Sequence, residues 1–307
     1  MWRYITRRLL WSAFAAYLIL SVTFLALAAA PPPVTSETGS PIHVPPRWPS
    51  VDDERSLADQ YVDWVVKYAT LDFDQETLDK LISAMKVTLS YLIPAFVAAI
   101  VGGIALGVYA AVNRGKPLGR LVTMGTYAVV GIPSYWVAEW SVILAYERLG
   151  VMRKFAYDTS LGPWSDKNLP ITLLTFAVVL VGMLAVQARY ARSESAEHVH
   201  AEFVKTLRAN GARTRDVARH VVRNAAMPLL SLFFIRTITM LFITIAVAEV
   251  VFGLHGVGWL ALWAVRNREI DLVILTTMLP VGLALFGNLL QDVAYVKLDP
   301  RVDFGDR

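Results

Sequence analysis

Apolar positions in this chain do not alternate with polar ones. They gather into six long runs: 9–30, 87–112, 121–146, 169–188, 229–251 and 272–296. Each run holds roughly 20 to 26 residues, and at about 1.5 Å per helical residue it reaches across a hydrocarbon layer about 30 Å thick. The pattern predicts an all-α membrane protein with six transmembrane helices. Arg3, Arg7 and Arg8 precede the first run. A signal peptide is the rival reading there, because Ala28-Ala29-Ala30 resembles a cleavage site. The run is longer than a signal core, however, and Pro31-Pro32-Pro33 would follow the cut, so an uncleaved first helix is expected.

The polar segments carry their own patterns. Seven prolines lie between Pro31 and Pro49 and exclude regular structure there. From Asp52 to Phe73 an amphipathic helix is expected, with Leu57, Tyr61, Trp64, Val65 and Tyr68 at three- and four-residue spacing. Gly103 and Gly107 form a small-xxx-small pair; close helix approach and ordinary glycine usage both remain open. Gly131-Ile132-Pro133 should kink the third span at Pro133. Segments 147–168 and 252–271 read as loops. The chain divides into residues 1–30 (cytoplasmic N-terminus and first helix), 31–86 (extracytoplasmic loop with a short helix) and 87–307 (core with five helices). The core includes a cytoplasmic loop at 189–228 and a tail at 297–307.

Charge sets the orientation. The N-terminus, 113–120, 189–228 and the tail together hold 17 Lys or Arg and 7 acids; the three alternate segments hold 11 and 15 over a greater length. Basic residues mark the cytoplasmic side, so both termini are expected in the cytoplasm. Composition agrees: 56% of residues are hydrophobic and mean hydropathy is +0.49. The chain has no cysteine, which excludes disulfides, thiolate metal sites and thiol catalysis.

The stretch from Arg189 to Ser231 is the longest polar segment between membrane-like flanks on the basic side. His200 to Asn210 can form a helix on which Phe203, Val204 and Leu207 share a face, with Lys205 and Arg208 beside it. Asn210-Gly211 is a helix stop, and a second helix is expected from Thr214 to Ala226, before Pro228. Such a helix can lie on anionic lipid or insert into a groove of a cytoplasmic partner, and the pattern leaves both open.

The segment EFVKTLRANGARTRDVARHVVRNAAMP resembles the cytoplasmic loop of ABC-transporter permeases of the dipeptide and oligopeptide importers. Matching or near-matching positions include Phe203, Val204, Lys205, Thr206, Arg208, Ala209, Gly211, Arg219, His220, Asn224, Ala225 and Pro228, while Leu207 stands where alanine is usual. Further resemblances occur in order along the chain: RYITRRLL, QYVDWVVKYATLDF, GIPSYW, AEVVFGLHGVGWLALWAVRNREID and NLLQDVAYVKLDPR. His255 departs from the pattern, where proline is usual. The resemblance implies a type I importer permease fold in the plasma membrane. It implies coupling helices between spans 4 and 5, with Phe203, Val204, Lys205, Thr206, Leu207, Arg208, Ala209 and Gly211 receiving the motion of separate ATPases. It also implies two ATPase subunits that bind ATP and magnesium, a second homologous permease, an extracytoplasmic solute-binding protein and surrounding lipid. Neither a cofactor of this chain nor nucleic acid is implied.

Consistent with a separate motor, the only Gly-Lys pair, Gly115-Lys116, is followed by Pro117 and lacks the upstream glycine of a phosphate loop. The chain is thus expected to be a transport subunit for peptides or similar solutes rather than an enzyme. A stand-alone secondary transporter is the alternative, and it would need acids mid-span. The ionisable residues within spans are Glu139, Arg236, Glu249 and Asp292. Such groups face protein or water. Arg236 is expected to pair with Glu139, Glu249 or Asp292, or else to line the pore; Glu249 and Asp292, near helix ends, are expected to be structural. His198 and His200, two apart, face different ways on a helix and do not make a metal pair.

Overall fold

The computed structural model describes residues 2–29, 55–150, 157–199, 201–223, 244–267 and 269–298. Among them the regular structure is entirely helical. The helices are α1 (Trp2–Ala28), α2 (Leu57–Thr70), α3 (Gln75–Val112), α4 (Pro117–Gly131), α5 (Ser134–Ile143), α6 (Leu169–Val199), α7 (Glu202–Ala209), α8 (214–223), α9 (Thr244–Phe252), α10 (Val257–Asn267) and α11 (Ile270–Leu298). One π-helical turn, Leu144–Arg148, closes α5. Four helices are long and apolar enough to cross a membrane, and the bent pairs α4–α5 and α9–α10 raise the number to six if each is one span.

α3 and α6 form the spine. A methyl added at Gly103 would lie 2.6 Å from Gln187 Cβ, and one at Gly107 would lie 2.6 Å from Ala191 Cβ. Real carbon atoms do not approach so closely, so both glycines are required for the helix contact. Four residues forward on α3 correspond to four forward on α6, so the two helices run parallel. Their length exceeds the lipid: 38 residues of α3 reach about 57 Å. Its charged first turns therefore stand outside the membrane at one end. The polar last turns of α6, beyond Arg189, stand outside at the other.

The core lies where α3, α5, α6 and α9 meet, around Tyr91, Val142, Val179 and Phe252. α10 and α11 pack on the N-terminal part of α3 through Ala84, Val257, Leu260 and Leu272. α1 joins through Phe24, which is buried with Trp64 and Tyr68 of α2 and Ile274 of α11. α2 is also tied to α11 by Lys67 Nζ and the Tyr68 hydroxyl, which donate to Asp271 at 2.7 and 2.8 Å.

Several boundaries differ from the sequence reading. α3 begins at Gln75, not Val87, because Asp74 caps it through the Thr77 amide at 2.8 Å and the polar lead-in continues the helix. α6 continues to Val199, so the segment from Arg189, expected to be a cytoplasmic loop, opens as helix. The third span is not one kinked helix: α4 and α5 meet at 92°, with Ile132 extended and Pro133 supplying no amide. Segment 252–271, read as a loop, is largely α10, which turns 77° from α9. Residues 229–243 of the expected fifth span lie outside the described residues.

Candidate functional site

Two sites emerge, one at the C-terminal ends of α3 and α6 and one against the N-terminal half of α3. At the first, α6 leads directly into α7. Two turns of α7 end in hydrogen bonds from the Asn210 amide to Thr206 O and the Ala212 amide to Leu207 O, both 3.0 Å. Gly211 has φ +76°, a left-handed conformation that a side chain would strain. The turn returns the chain into α8. Val204, Val217 and Val221 are buried together against Val112 of α3 and Val199 of α6, with Phe203 and Ala212 partly buried beside them. This apolar lock joins the α7–α8 hairpin to the ends of both spine helices. Burying one valine contributes about 1.5–3 kcal/mol.

The hairpin's other face is polar and open. Glu202, Lys205, Thr206, Arg208 and Ala209 are exposed, and Leu207 is half-buried. Lys205 Nζ contacts Glu202 at 2.6 Å along the surface. Of the residues expected to share one apolar face, only Val204 is buried, while Phe203 and Leu207 stay partly accessible. The lock also depends on Val217 and Val221, which the sequence reading did not single out. Their four-residue spacing on α8 is the signal that would have found them.

The second site surrounds Glu249, which is wholly buried on α9. The hydroxyls of Thr88 and Tyr91 each donate to its Oε1 at 2.6 Å. The Gly258 and Trp259 amides donate to its Oε2 at 2.6 and 3.2 Å. The carboxylate therefore caps the N-terminus of α10, where free amides favour an anion. Thr88 Oγ1 also accepts from the Val257 amide at 2.8 Å. Any side chain at Gly256 would collide with Glu249 and Thr88, and one at Gly258 with the backbone of Ala246. The bend between α9 and α10 is thus held by one acid that reaches both helices and α3.

Of the other intramembrane candidates only Glu139 has a described side chain, and it is not among the hydrogen-bond partners of Glu249. Glu139 is half-buried on α5. Arg236 lies outside the described residues, and Asp292 is on α11 with its side chain outside them. The partners of Glu249 were not legible beforehand. Thr88 and Tyr91, three apart on one helical face, are the signal that was available.

At the N-terminal end of α6, Asn168 organises the preceding turn. It accepts from the Asp158 amide at 2.8 Å and donates to Asp158 O, Leu161 O and Gly162 O at 2.9, 3.3 and 3.1 Å. Lys167 and the Ser160 hydroxyl and amide hold the Asp158 carboxyl down at about 2.

Residues 103–304 match the family model described as binding-protein-dependent transport system inner membrane component. The chain is 26% identical over 320 aligned residues to the oligopeptide transport system permease proteins OppB of Haemophilus influenzae and Escherichia coli; each alignment covers 99% of this chain and 100% of the relative. It is also 26% identical over 254 residues to the metal-staphylopine import system permease protein CntB of Staphylococcus aureus, covering 81% of this chain and 78% of the relative. Apolar helices of spanning length fit the same assignment, a multi-pass plasma-membrane protein. The match covers most of the chain, including the last ten residues of α3, all of α6, the α7–α8 hairpin and Glu249 with the α10 amides it caps, and the chain belongs to the family of binding-protein-dependent transport inner-membrane components, the ABC importer permeases.

Proposed function

We propose that this chain is one of two permease subunits of an ATP-driven importer for peptides or similar solutes. Separate ATPases dock on α7, and a binding protein delivers solute to the opposite face. The observation that carries this reading is the α7–α8 hairpin, with a polar outer face and an inner face locked by Val204, Val217 and Val221 to the ends of α3 and α6. A push on α7 is thereby transmitted to the spine, as rigid packed elements transmit coupling. ATP and magnesium belong to the partners, and this chain contributes no nucleotide site.

The parallel course of α3 and α6 fits six crossings, and the excess of Lys and Arg in the N-terminus, 113–120, 189–228 and the tail argues for both termini in the cytoplasm. Two parallel spans in succession require one crossing between them, so α4–α5 acts as a single broken span rather than a re-entrant loop. Solute class follows the relatives only broadly, since one permease serves oligopeptides and another a metal chelate.

Vesicles containing the complete transporter test the reading. Uptake should require ATP hydrolysis by the partner subunits and persist when ion gradients are collapsed. Uptake that follows an ion gradient without ATP would instead support a stand-alone secondary transporter.

A further inference from the structure

A cleft of about 770 Å³ opens at the outer end of the spine, between the first turns of α3, the turn before α6 and the α9–α10 bend. That volume falls within the range of small-molecule sites, about 300–1,000 Å³. One wall is an aromatic shelf. Tyr157 and His255 have ring centroids 5.7 Å apart, His255 and Trp259 are 4.0 Å apart, and Trp263 follows 6.4 Å beyond Trp259. The shelf is held in place before any ligand arrives, because the Trp259 amide is bonded to buried Glu249. Its central ring is His255, at the position where the permease pattern has proline, so the shelf departs from that pattern.

The facing wall is the start of α3. Glu76 and Asp79 are exposed there, and Lys86 lies two turns further along, exposed and lining the same cleft. Asp79 and Lys86 are seven residues apart, so they share a helical face about 10 Å apart along the axis. Three extended residues also measure about 10 Å. Lys80 also lines the cleft, where Glu76 pairs with it at 2.8 Å, and it lies 5.5 Å from the Trp263 ring centre; this pairing leaves Asp79 and Lys86 as the cleft's remaining acid and base on α3.

We propose that this cleft is an entry site for the transported solute and selects zwitterionic peptides of about three residues with a flat side chain. The ammonium meets Asp79, the carboxylate meets Lys86, and the flat side chain lies on His255 and Trp259, where ring stacking is favourable. This rests on the reading of the chain as an importer permease with α3 starting on the outer side.

The absence of cysteine supplies the test. Ser83→Cys places a thiol on the exposed α3 wall of the cleft, and Thr159→Cys places one on the opposite wall. Val62→Cys, exposed on α2, serves as control. Each variant of the complete transporter is labelled in right-side-out vesicles with a membrane-impermeant maleimide, with and without the tripeptide Ala-Phe-Ala, and uptake of the peptide is measured in parallel. Both cleft thiols should label from outside. Peptide at about ten times its dissociation constant should slow them about tenfold and leave the control unchanged. The same peptide acetylated and amidated should not protect, and His255→Ala should weaken protection severalfold. Uptake without protection of either thiol overturns the cleft as an entry site while the importer reading stands. Equal protection by the blocked peptide overturns the zwitterion selection. Thiols reachable only from the inner face, without uptake, overturn both.

Discussion

Glu249 on α9 accepts four hydrogen bonds from two other helices, although in sequence it is one acid at the end of an apolar run. Each buried donor left unpaired costs about 1–3 kcal/mol. Glu249→Ala should therefore destabilise by more than about 4 kcal/mol, and Glu249→Gln by less, since one oxygen still accepts. Thermal unfolding in detergent, followed by size exclusion, should rank them in that order. Gly258→Ala drives a methyl into the backbone of Ala246, whereas Gly125 has nothing within 4 Å. The first should lower the midpoint and the second leave it unchanged or raised, since overpacking costs about 1–3 kcal/mol and alanine favours a helix interior over glycine by about 0.5–1 kcal/mol. At Asp158 the folded carboxyl is held at about 2, below the unfolded value near 3.9. Its stabilising effect is fully present above pH about 4 and is lost as pH falls through about 2. Pepsin cleavage of the turn at 157–168 should therefore rise across that window, and Asp158→Asn should remove the pH dependence.

Among elements, apolar runs made α1, α6 and α11 legible, and capping chemistry fixed ends that runs could not. α3 starts early because Asp74 caps it among residues too polar to signal a span. α10 was missed for the opposite reason. Segment 252–271, with glycines at 253, 256 and 258, reads as a loop in sequence, yet the last two glycines are demanded by contacts with Glu249 and Ala246. Tertiary contact, not local pattern, makes that helix, and no single sequence displays a partner 161 positions away. The Gly103–Gly107 pair was visible, and the structure decides between its two readings in favour of close approach. Gly107→Leu should separate α3 from α6 and abolish folded yield, while Leu in place of Gly182, which meets nothing within 4 Å, should be tolerated. Recovery of folded protein after extraction distinguishes the two. At the hairpin, Gly211→Val strains the left-handed turn by about 1–2 kcal/mol and should impair coupled ATP hydrolysis more than assembly.

For the molecule as a whole, one parallel helix pair joins two working ends. Val112 and Val199 tie its C-terminal end to the α7–α8 hairpin, and Thr88 and Tyr91 tie its N-terminal half to the Glu249 cap. A displacement of the hairpin thus has a packed route to the α9–α10 bend and the cleft beside it. The central claim is that the open face of α7 receives the motor. Ala209 is exposed there, whereas Val204 is locked inward. The most direct measurement places Ala209→Cys opposite a cysteine in the docking groove of the partner ATPase and follows disulfide crosslinking in the assembled transporter with and without ATP. The account predicts an efficient crosslink from Ala209 whose yield changes with nucleotide, and none from Val204→Cys. A folded transporter in which Ala209 never crosslinks, or in which Val204 crosslinks instead, would contradict it.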